Sequence, residues 1–568
     1  MKKNKELAAI FNQIADALEF KGENVFKVIA YRKTARVLEE LVDDIADLHK
    51  AGTLDQLEGV GKAIAEKISE YLTTGKMKKL AEATRGIPLS LLELLNIQYI
   101  GPKTLALANK ELGVKDIASM KRVIEDGSLA KLPMMGAKKT ENIMKGILLY
   151  ERSHERLAIN VAQEVTDKVI AYLRKNTNVI NISAAGSLRR WNENIGDIDI
   201  LATGKDGKKI IETFTRFPET EEVVAAGDTK GEIIVEDGVQ VDVRIVNERS
   251  YGAALQYFTG SKAHNVKLRG LAVDKGLKLN EYGLFKGKRR IAGENEEGIY
   301  KALGMAWIPA ELREDRGEIE LAMNRKLPDL VEHKDIKGDL QMHSVYSDSD
   351  ATIEELVAEA QDLGYEYILI TDHSRTARYA NGMELDRLYK QWEEIDKLNK
   401  RLKNFTVLKG VEVDILTTGK LDYPDPVLEK LDIVVASVHQ GFSKNVTERM
   451  SDAMENPNVD LIGHPTGRLI SKREGYVIDI ARIIEKAAET KTWLECNAYP
   501  DRLDLNDVNL KKAKESGVMI SLGTDAHGVT ELRWMKYGVA TCRRGWLEAK
   551  NVVNTYPREK LLRLRKGE

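Results

Sequence analysis

The chain has 568 residues, 43% apolar and 31% charged, with a formal net charge of −2. That length exceeds what one hydrophobic core fills, so several domains are expected, and near-neutrality leaves only local basic patches for a polyanionic partner. Two cysteines, Cys496 and Cys542, exclude a disulfide scaffold or a cysteine-rich zinc fold, and no apolar run approaches the ~18 residues of a membrane helix.

The N-terminal MKKNKELAAIFNQIADALEF is amphipathic and lacks a secretory apolar core, so a cytoplasmic protein is expected. Residues 1–150 read as all-helical, with apolar positions spaced by three and four. Within them LEGVGKAIAEKI (57–68), IQYIGPKTLALA (97–108) and LPMMGAKKTENI (132–143) each place a glycine turn before a basic helix start. Such a repeat packs one helical hairpin against another, or presents free amides to a phosphate.

From residue 151 the pattern becomes α+β. NVINISAAG and IGDIDILAT read as strands, and GEIIVEDGVQVDVRIV as a hairpin turning at Asp237-Gly238. Residues 251–317 are mixed and glycine-rich; there YFTGS (257–261) reads as a strand end followed by a turn. Residues 318–337 read as an extended connector.

After residue 338, apolar strands alternate with helices: YEYILIT, FTVLKGVEVDI, IVVASVH, VDLIGH, TWLECN and VMISLGTD. This predicts a βα-repeating barrel or a layered α/β fold. Polar residues gather at the strand ends, where barrels present their sites: Asp372, His373, Glu412, His439, His464, Asp525 and His527.

Two clusters carry chemistry. Asp197 and Asp199 are two apart in a strand and share a side, and Asp242 on the hairpin can stand beside them. Three close carboxylates repel unless cations neutralise them, and bridging divalent ions would clamp a phosphoryl group. Solvated aspartates on a polar strand face are the plainer alternative. Gly186-Ser187 followed by Arg189 and Arg190 makes a tight turn with two cations ready for polyphosphate. In the second cluster, five of the nine histidines lie between His343 and His527, accompanied by carboxylates. Mixed imidazole and carboxylate donors suit Zn, Mn or Fe better than Mg, and their number calls for two or three ions.

GSLRRWNENIGDID and YFTGS resemble the family X DNA polymerases. The resemblance implies that Asp197, Asp199 and Asp242 are catalytic ligands for two Mg or Mn ions, with Asp242 helping to activate the primer 3′-hydroxyl. It implies that Gly186, Ser187, Arg190, Gly196, Tyr257, Phe258, Gly260, Asn265 and Arg269 bind the nucleotide. At the N-terminus it implies a 5′-phosphate site at Lys27, Tyr31, Lys79 and the hairpin of Gly59 and Gly61, with Lys67 as a Schiff-base lysine for 5′-deoxyribose phosphate removal. Any one of these lysines could equally be solvated helix surface. Tyr99 and Met134 stand where the second and third repeats usually carry a glycine.

GDLQMHSVYSDSD, ITDHS, GVEVD, SVH, GHP and GTDAH are similar to the PHP superfamily, a distorted barrel with a trinuclear centre. That similarity implies one metal on His343, Glu412 and Asp525, a second on His439 and His464 bridged by Glu412, and a third on Asp348, His373 and His527. Asn497 and Arg502 would meet substrate phosphate. Gln341 replaces the usual first histidine and removes one ligand.

The expected architecture is multidomain: a helix-hairpin-helix lyase-like region (1–85), a second helical DNA-binding subdomain (86–150), a nucleotidyltransferase palm (151–245), a nucleotide-binding subdomain (246–317), a linker (318–337) and an α/β distorted barrel (338–568). The expected function is gap-filling DNA synthesis with 3′–5′ exonuclease activity, with abasic-site cleavage as a further expectation for the barrel. Partners would be gapped or primer-template DNA and deoxynucleoside triphosphates, with no membrane and a monomeric chain. A small-molecule phosphatase and a non-catalytic barrel scaffold are the competing readings of the C-terminal module.

Overall fold

The computed structural model describes residues 2–40, 45–50, 52–54, 60–87, 91, 94–97, 99–133, 135–154, 157–470, 473 and 475–565. It forms two compact units, Met1–Glu155 and Arg156–Glu568.

The first unit is helical, and its described residues include no strand. Helices Lys2–Phe20, Val25–Glu40 and Lys62–Thr74 turn Leu7, Phe11, Ile14, Leu38 and Ile68 into a common core. The three- and four-residue spacing places these side chains on one face. Gly61 and Gly101 precede helices Lys62–Thr74 and Pro102–Leu112, as the repeats require. Tyr99 adopts φ 71°, the left-handed conformation that glycine takes freely and other residues resist. Gly59 and Met134 lie outside the described residues.

The second unit begins with a five-stranded sheet: β1 (Val179–Ala184), β2 (Ile198–Gly204), β3 (Thr220–Ala226), β4 (Lys230–Val235) and β5 (Val239–Ile245). Its order is β1-β2-β5-β4-β3, and only β2 and β5 run parallel. In β5, Val239, Val241, Val243 and Ile245 are buried while Gln240, Asp242 and Arg244 lie on the opposite face. The hairpin turns at Gly238, as expected. A small sheet follows, built from β6 (Lys278–Asn280), β7 (Gly283–Lys286) and β8 (Arg289–Ala292).

Two expectations change here. YFTGS does not end a strand: it closes the helix Tyr251–Thr259, stopped by Gly260 at φ 72°. A short apolar run carries no period that separates strand from helix, and packing decides it. Gly252 lets this helix lie against the Asn295 main chain, where a Cβ would come within 2.2 Å. The segment read as an extended connector opens with helix Glu318–Met323. Glu318 is buried at its start, accepting from the Asp315 and Arg316 amides at 3.0 and 2.7 Å and lying 2.7 Å from His264 Nδ1. A carboxylate at a helix N-terminus is favoured by the unpaired amides there.

The barrel comprises β9 (Gly338–Asp339), β10 (Tyr367–Ile370), β11 (Thr406–Asp414), β12 (Ile433–Ser437), β13 (Leu461–Ile462), β14 (Trp493–Asn497) and β15 (Ile520–Gly523), all parallel and in sequential order. The Leu340 amide reaches Leu522 O at 3.2 Å, and Met342 bridges Ala526, bringing the first and last strands together. Both faces of these strands are buried, which is why they read as continuous apolar runs. Ile470, Leu503 and Tyr537 belong to the core beneath the palm sheet, and Trp546 to the core of residues 253–330.

Candidate active sites

In the palm, strand register sets Asp199 opposite Asp242, with Asp197 just ahead of β2. Burial, then the Asp197 and Asp242 charges, pushes the Asp199 carboxyl up to about 7. Burial and Asp242 raise Asp197 as well. Asp242 is held by Lys230 Nζ at 2.9 Å and accepts from Gln240 Nε2 at 3.1 Å. Gly186, at φ 58°, brings the following turn so near that a Cβ would lie 2.4 Å from Asp199 Oδ2. Only glycine permits that approach. A surplus of negative charge, opposed only in part by Arg244 and Lys230, suits divalent cations.

Ser187 lies in the single helical turn Gly186–Arg189, and Gly196 precedes Asp197 in open space. The two arginines expected to be free for polyphosphate are engaged. Arg189 grips Glu296 through two 2.8 Å bonds and donates to Thr259 Oγ1. Arg190 donates to Thr259 O at 2.6 Å and to Glu314 at 3.0 Å. Around them, Arg244 lies over the Phe258 ring and Arg269 over the Tyr257 ring. Asn265 donates to Tyr257 O at 2.7 Å, and a Cβ on Gly260 would meet Arg190 Nη1 at 3.2 Å. The structure thus gathers the palm and YFTGS residues expected together.

In the helical unit, Lys67 Nζ donates to Ala63 O of its own helix at 2.7 Å. Lys27 and Lys79 pair with Glu23 and Glu82, each at 3.2 Å. A hydrogen bond from Lys27 chiefly lowers the Glu23 carboxyl. Tyr31 is buried, its ring stacked on Phe11.

The barrel cluster is denser. Glu412, deeply buried on β11, has Oε1 at 3.0 Å from His464 Nε2 and 3.3 Å from His439 Nε2. Its Oε2 lies 3.1 Å from His373 Nδ1 and 3.7 Å from His343 Nε2. His343 Nε2 is 3.0 Å from Asp525 Oδ1, while Asp348 sits 3.4 Å from His527 and 3.7 Å from His373. Among the described residues, two groups bring ligand atoms within 4.8 Å of one another: His343, Asp348, His373 and His527, and His373, Glu412 and His439. The palm aspartates do not gather as tightly, with Asp242 drawn toward Lys230 and Gln240.

Three ring nitrogens, Nδ1 of His343, His373 and His464, are buried without a hydrogen bond. Buried polar groups are ordinarily paired, so the His343 and His373 nitrogens, which face Asp348 and Glu412, fit a bound cation. Burial resists charge on His439 and on Glu412, yet their mutual attraction wins: Glu412 is held well below the usual range and His439 reaches about 10. His464 and Asp525 take φ 27° and 55°, left-handed conformations tolerated where function demands them. Asn497 Nδ2 and Arg502 Nε flank Asp525 Oδ2 at 3.1 and 3.3 Å. Gln341 is fully buried, and both its amide atoms lack a partner.

Several contributors escaped the sequence reading. Asp414 fixes His439 through a 2.6 Å contact with Nδ1, a support that raises ligand basicity. Its place two residues after Glu412 puts both on one strand face, a signal present in GVEVD. Glu495 receives the His464 amide at 2.6 Å and is pushed well above the usual range by burial and then Asp525. Asp372, expected among the site's polar residues, instead accepts from Ser344, Ser347 and Gln391, bracing the loop that carries Asp348.

Three family models match: a helix-hairpin-helix domain at residues 2–77, the DNA polymerase beta thumb at 254–314 and the PHP domain at 339–498. The DNA polymerase/3′-5′ exonuclease PolX of Bacillus subtilis (strain 168) is 40% identical over 560 residues, covering 97% of each chain. A probable phosphatase of Thermoanaerobacter sp. (strain X514) is 30% identical over 38% of this chain and 89% of its own. DNA polymerase lambda of Arabidopsis thaliana is 26% identical over 54% of this chain and 61% of its own. With the helical repeats, the palm carboxylates and the barrel's imidazole cluster in one sequence, this chain belongs to the PolX family, family X DNA polymerases that carry a C-terminal PHP domain.

Proposed function

We propose that the palm fills short gaps during DNA repair and that the barrel removes nucleotides from 3′ ends, in a cytoplasmic monomer. One observation carries the reading: a palm carboxylate set and an imidazole-carboxylate cluster, short of one histidine at Gln341, occur in one chain that matches a polymerase/3′-5′ exonuclease along its whole length.

At the palm, Asp197, Asp199 and Asp242 would hold two Mg or Mn ions, and at the barrel His343, Asp348, His373, Glu412, His439, His464, Asp525 and His527 would hold two or three Mn, Zn or Fe ions. Such ions neutralise phosphoryl oxygens and acidify the attacking hydroxyl or water. Asp242 accepts the proton of the primer 3′-hydroxyl as its oxygen attacks the α-phosphorus and pyrophosphate leaves. Gly186, Ser187, Arg190 and Gly196 shape the triphosphate side of the pocket, and Tyr257, Phe258, Gly260, Asn265 and Arg269 the sugar and template side. In the helical unit, Lys27, Tyr31, Lys79 and the Gly59–Gly61 hairpin receive a 5′-phosphate at the far edge of the gap, with Lys67 placed for lyase chemistry. At the barrel, Asn497 and Arg502 orient the scissile phosphate.

A labelled primer on a one-nucleotide gap and on single-stranded DNA, with Asp242→Asn and His373→Ala chains, tests the assignment. Loss of both activities in either variant would overturn it. The likeness of the barrel to probable phosphatases favours a second reading, hydrolysis of small phosphomonoesters. Turnover of such esters without degradation of DNA would select it.

A further inference from the structure

Tyr379 stands on the short helical turn Arg378–Ala380, which follows His373 and precedes helix Leu385–Asn399. Its ring centroid lies 6.3 Å from those of both His373 and His439, inclined at 57° and 72°. One side of the ring therefore abuts two candidate metal ligands, yet 72% of the residue is open to solvent.

The turn beneath it is firmly held. The Met383 amide donates to His373 O at 2.8 Å, and the Ala377 amide to Ser374 O at 3.1 Å. Asn381, at φ 52°, donates to Ser347 O at 2.8 Å and receives Arg387 at 3.0 Å. A large planar side chain carried beside the centre on a braced turn, with most of its surface open, suits a planar partner. A phosphate ester of a non-aromatic alcohol would gain little from it, whereas every nucleobase offers a π-face.

We propose that Tyr379 is the stacking platform for the terminal base of a single-stranded 3′ end, within one nucleotide's span of the barrel centre. This deepens, and rests on, the reading of the barrel as a 3′–5′ nuclease. A paired terminal base must first leave its helix to stack here, which costs a few kcal/mol and is least for frayed or mismatched ends. The platform thus makes the centre select unpaired termini.

The test compares kcat/KM on single strands ending in an ordinary nucleotide or in a base-less tetrahydrofuran residue, for wild type, Tyr379→Ala, Tyr379→Phe and Tyr379→Trp. Wild type should favour the base-bearing end by about tenfold, the scale of one base–aromatic stack. That preference should collapse in Tyr379→Ala, through KM, and persist in the Phe and Trp variants. Primer extension on gapped DNA by the same proteins reports an intact chain. A wild-type preference retained in Tyr379→Ala, or an equal loss on both ends, would overturn the proposal. Wild type degrading neither end would instead remove the nuclease reading on which it rests, and the proposal with it.

Discussion

Arg544, at the end of helix Met535–Arg544 in the barrel, donates from Nη1 to the main-chain oxygen of Arg190 at 2.7 Å. The same nitrogen lies 3.1 Å from Glu314 Oε1, which Arg190 Nε also meets, so two cations share one carboxylate. Through Nη2, Arg544 reaches Asp507, itself paired with Arg316. The turn beside the palm aspartates is thereby braced from the barrel half of the chain.

Removing Arg544 leaves Glu314 and Asp507 with fewer partners in a buried setting, and Arg544→Ala should destabilise the chain by about 3 kcal/mol. Gap filling should slow, because Arg190 loses its brace. A double-mutant cycle of Arg544→Ala with Glu314→Ala, read by urea unfolding, should return a coupling of roughly 1–3 kcal/mol. Simple additivity would show that the two side chains act independently.

Glu296 supplies a pH test. Burial alone would raise its carboxyl, but Arg313 and Arg189 outweigh that and hold it at about 2, against an ordinary 4.5. The unfolded chain therefore binds a proton between these values and the folded chain does not, so this contribution is full above pH 4.5 and lost as pH falls through 2. Its size is about 3 kcal/mol. Unfolding free energies of wild type and Glu296→Gln should converge toward pH 2; a constant gap would contradict the pairing.

Asp242→Asn should abolish nucleotide addition while leaving DNA binding and 3′–5′ degradation in place, since it removes a group needed as the 3′-oxygen attacks. Single-turnover incorporation on a one-nucleotide gap is the measurement. Wild-type rates would sink the assignment.

The two centres should differ in metal demand. Imidazole-rich donors favour Mn, Zn or Fe and should retain metal through purification, whereas the palm works with exchangeable Mg. His373→Ala and Glu412→Ala should lose nuclease activity and bound metal, detected by mass spectrometry, yet still extend primers. Because Gln341 offers no imidazole, one ion should leave readily and added Mn should raise degradation.

A gap bearing a 5′-phosphate should bind more tightly than one ending in a 5′-hydroxyl, through Lys27, Lys79 and the first hairpin. Equal dissociation constants at one salt concentration would argue against such a pocket. If Lys67 performs lyase chemistry, borohydride should trap a DNA adduct that Lys67→Ala abolishes.

Much of this molecule was legible because its candidate ligands announce themselves locally. Asp197 and Asp199 share a strand face by simple alternation, and six barrel strands stand out as buried apolar runs. Strand β9 did not, since Gly338 and Asp339, followed closely by Gln341, form no apolar run. Arg189 and Arg190 were recognisable as cations beside a tight turn, but their partners Glu296, Glu314 and Arg544 come from distant segments, and only folding reveals that they are already paired. Tyr257 and Phe258 were placed in the right neighbourhood on the wrong backbone, because a short apolar run fits helix and strand alike. Tyr379 has no motif around it; its significance is the position of a ring.

The apolar residues that the barrel contributes beneath the palm, Ile470, Leu503 and Tyr537, carry a consequence for any shortened chain. A gene cut after residue 337 would encode a synthesising half whose interior is missing part of its own filling, prone to clump instead of fold. Loss of the barrel would uncover part of the floor of the palm. The palm and the barrel should therefore melt together in calorimetry, joined by oil as well as by charge.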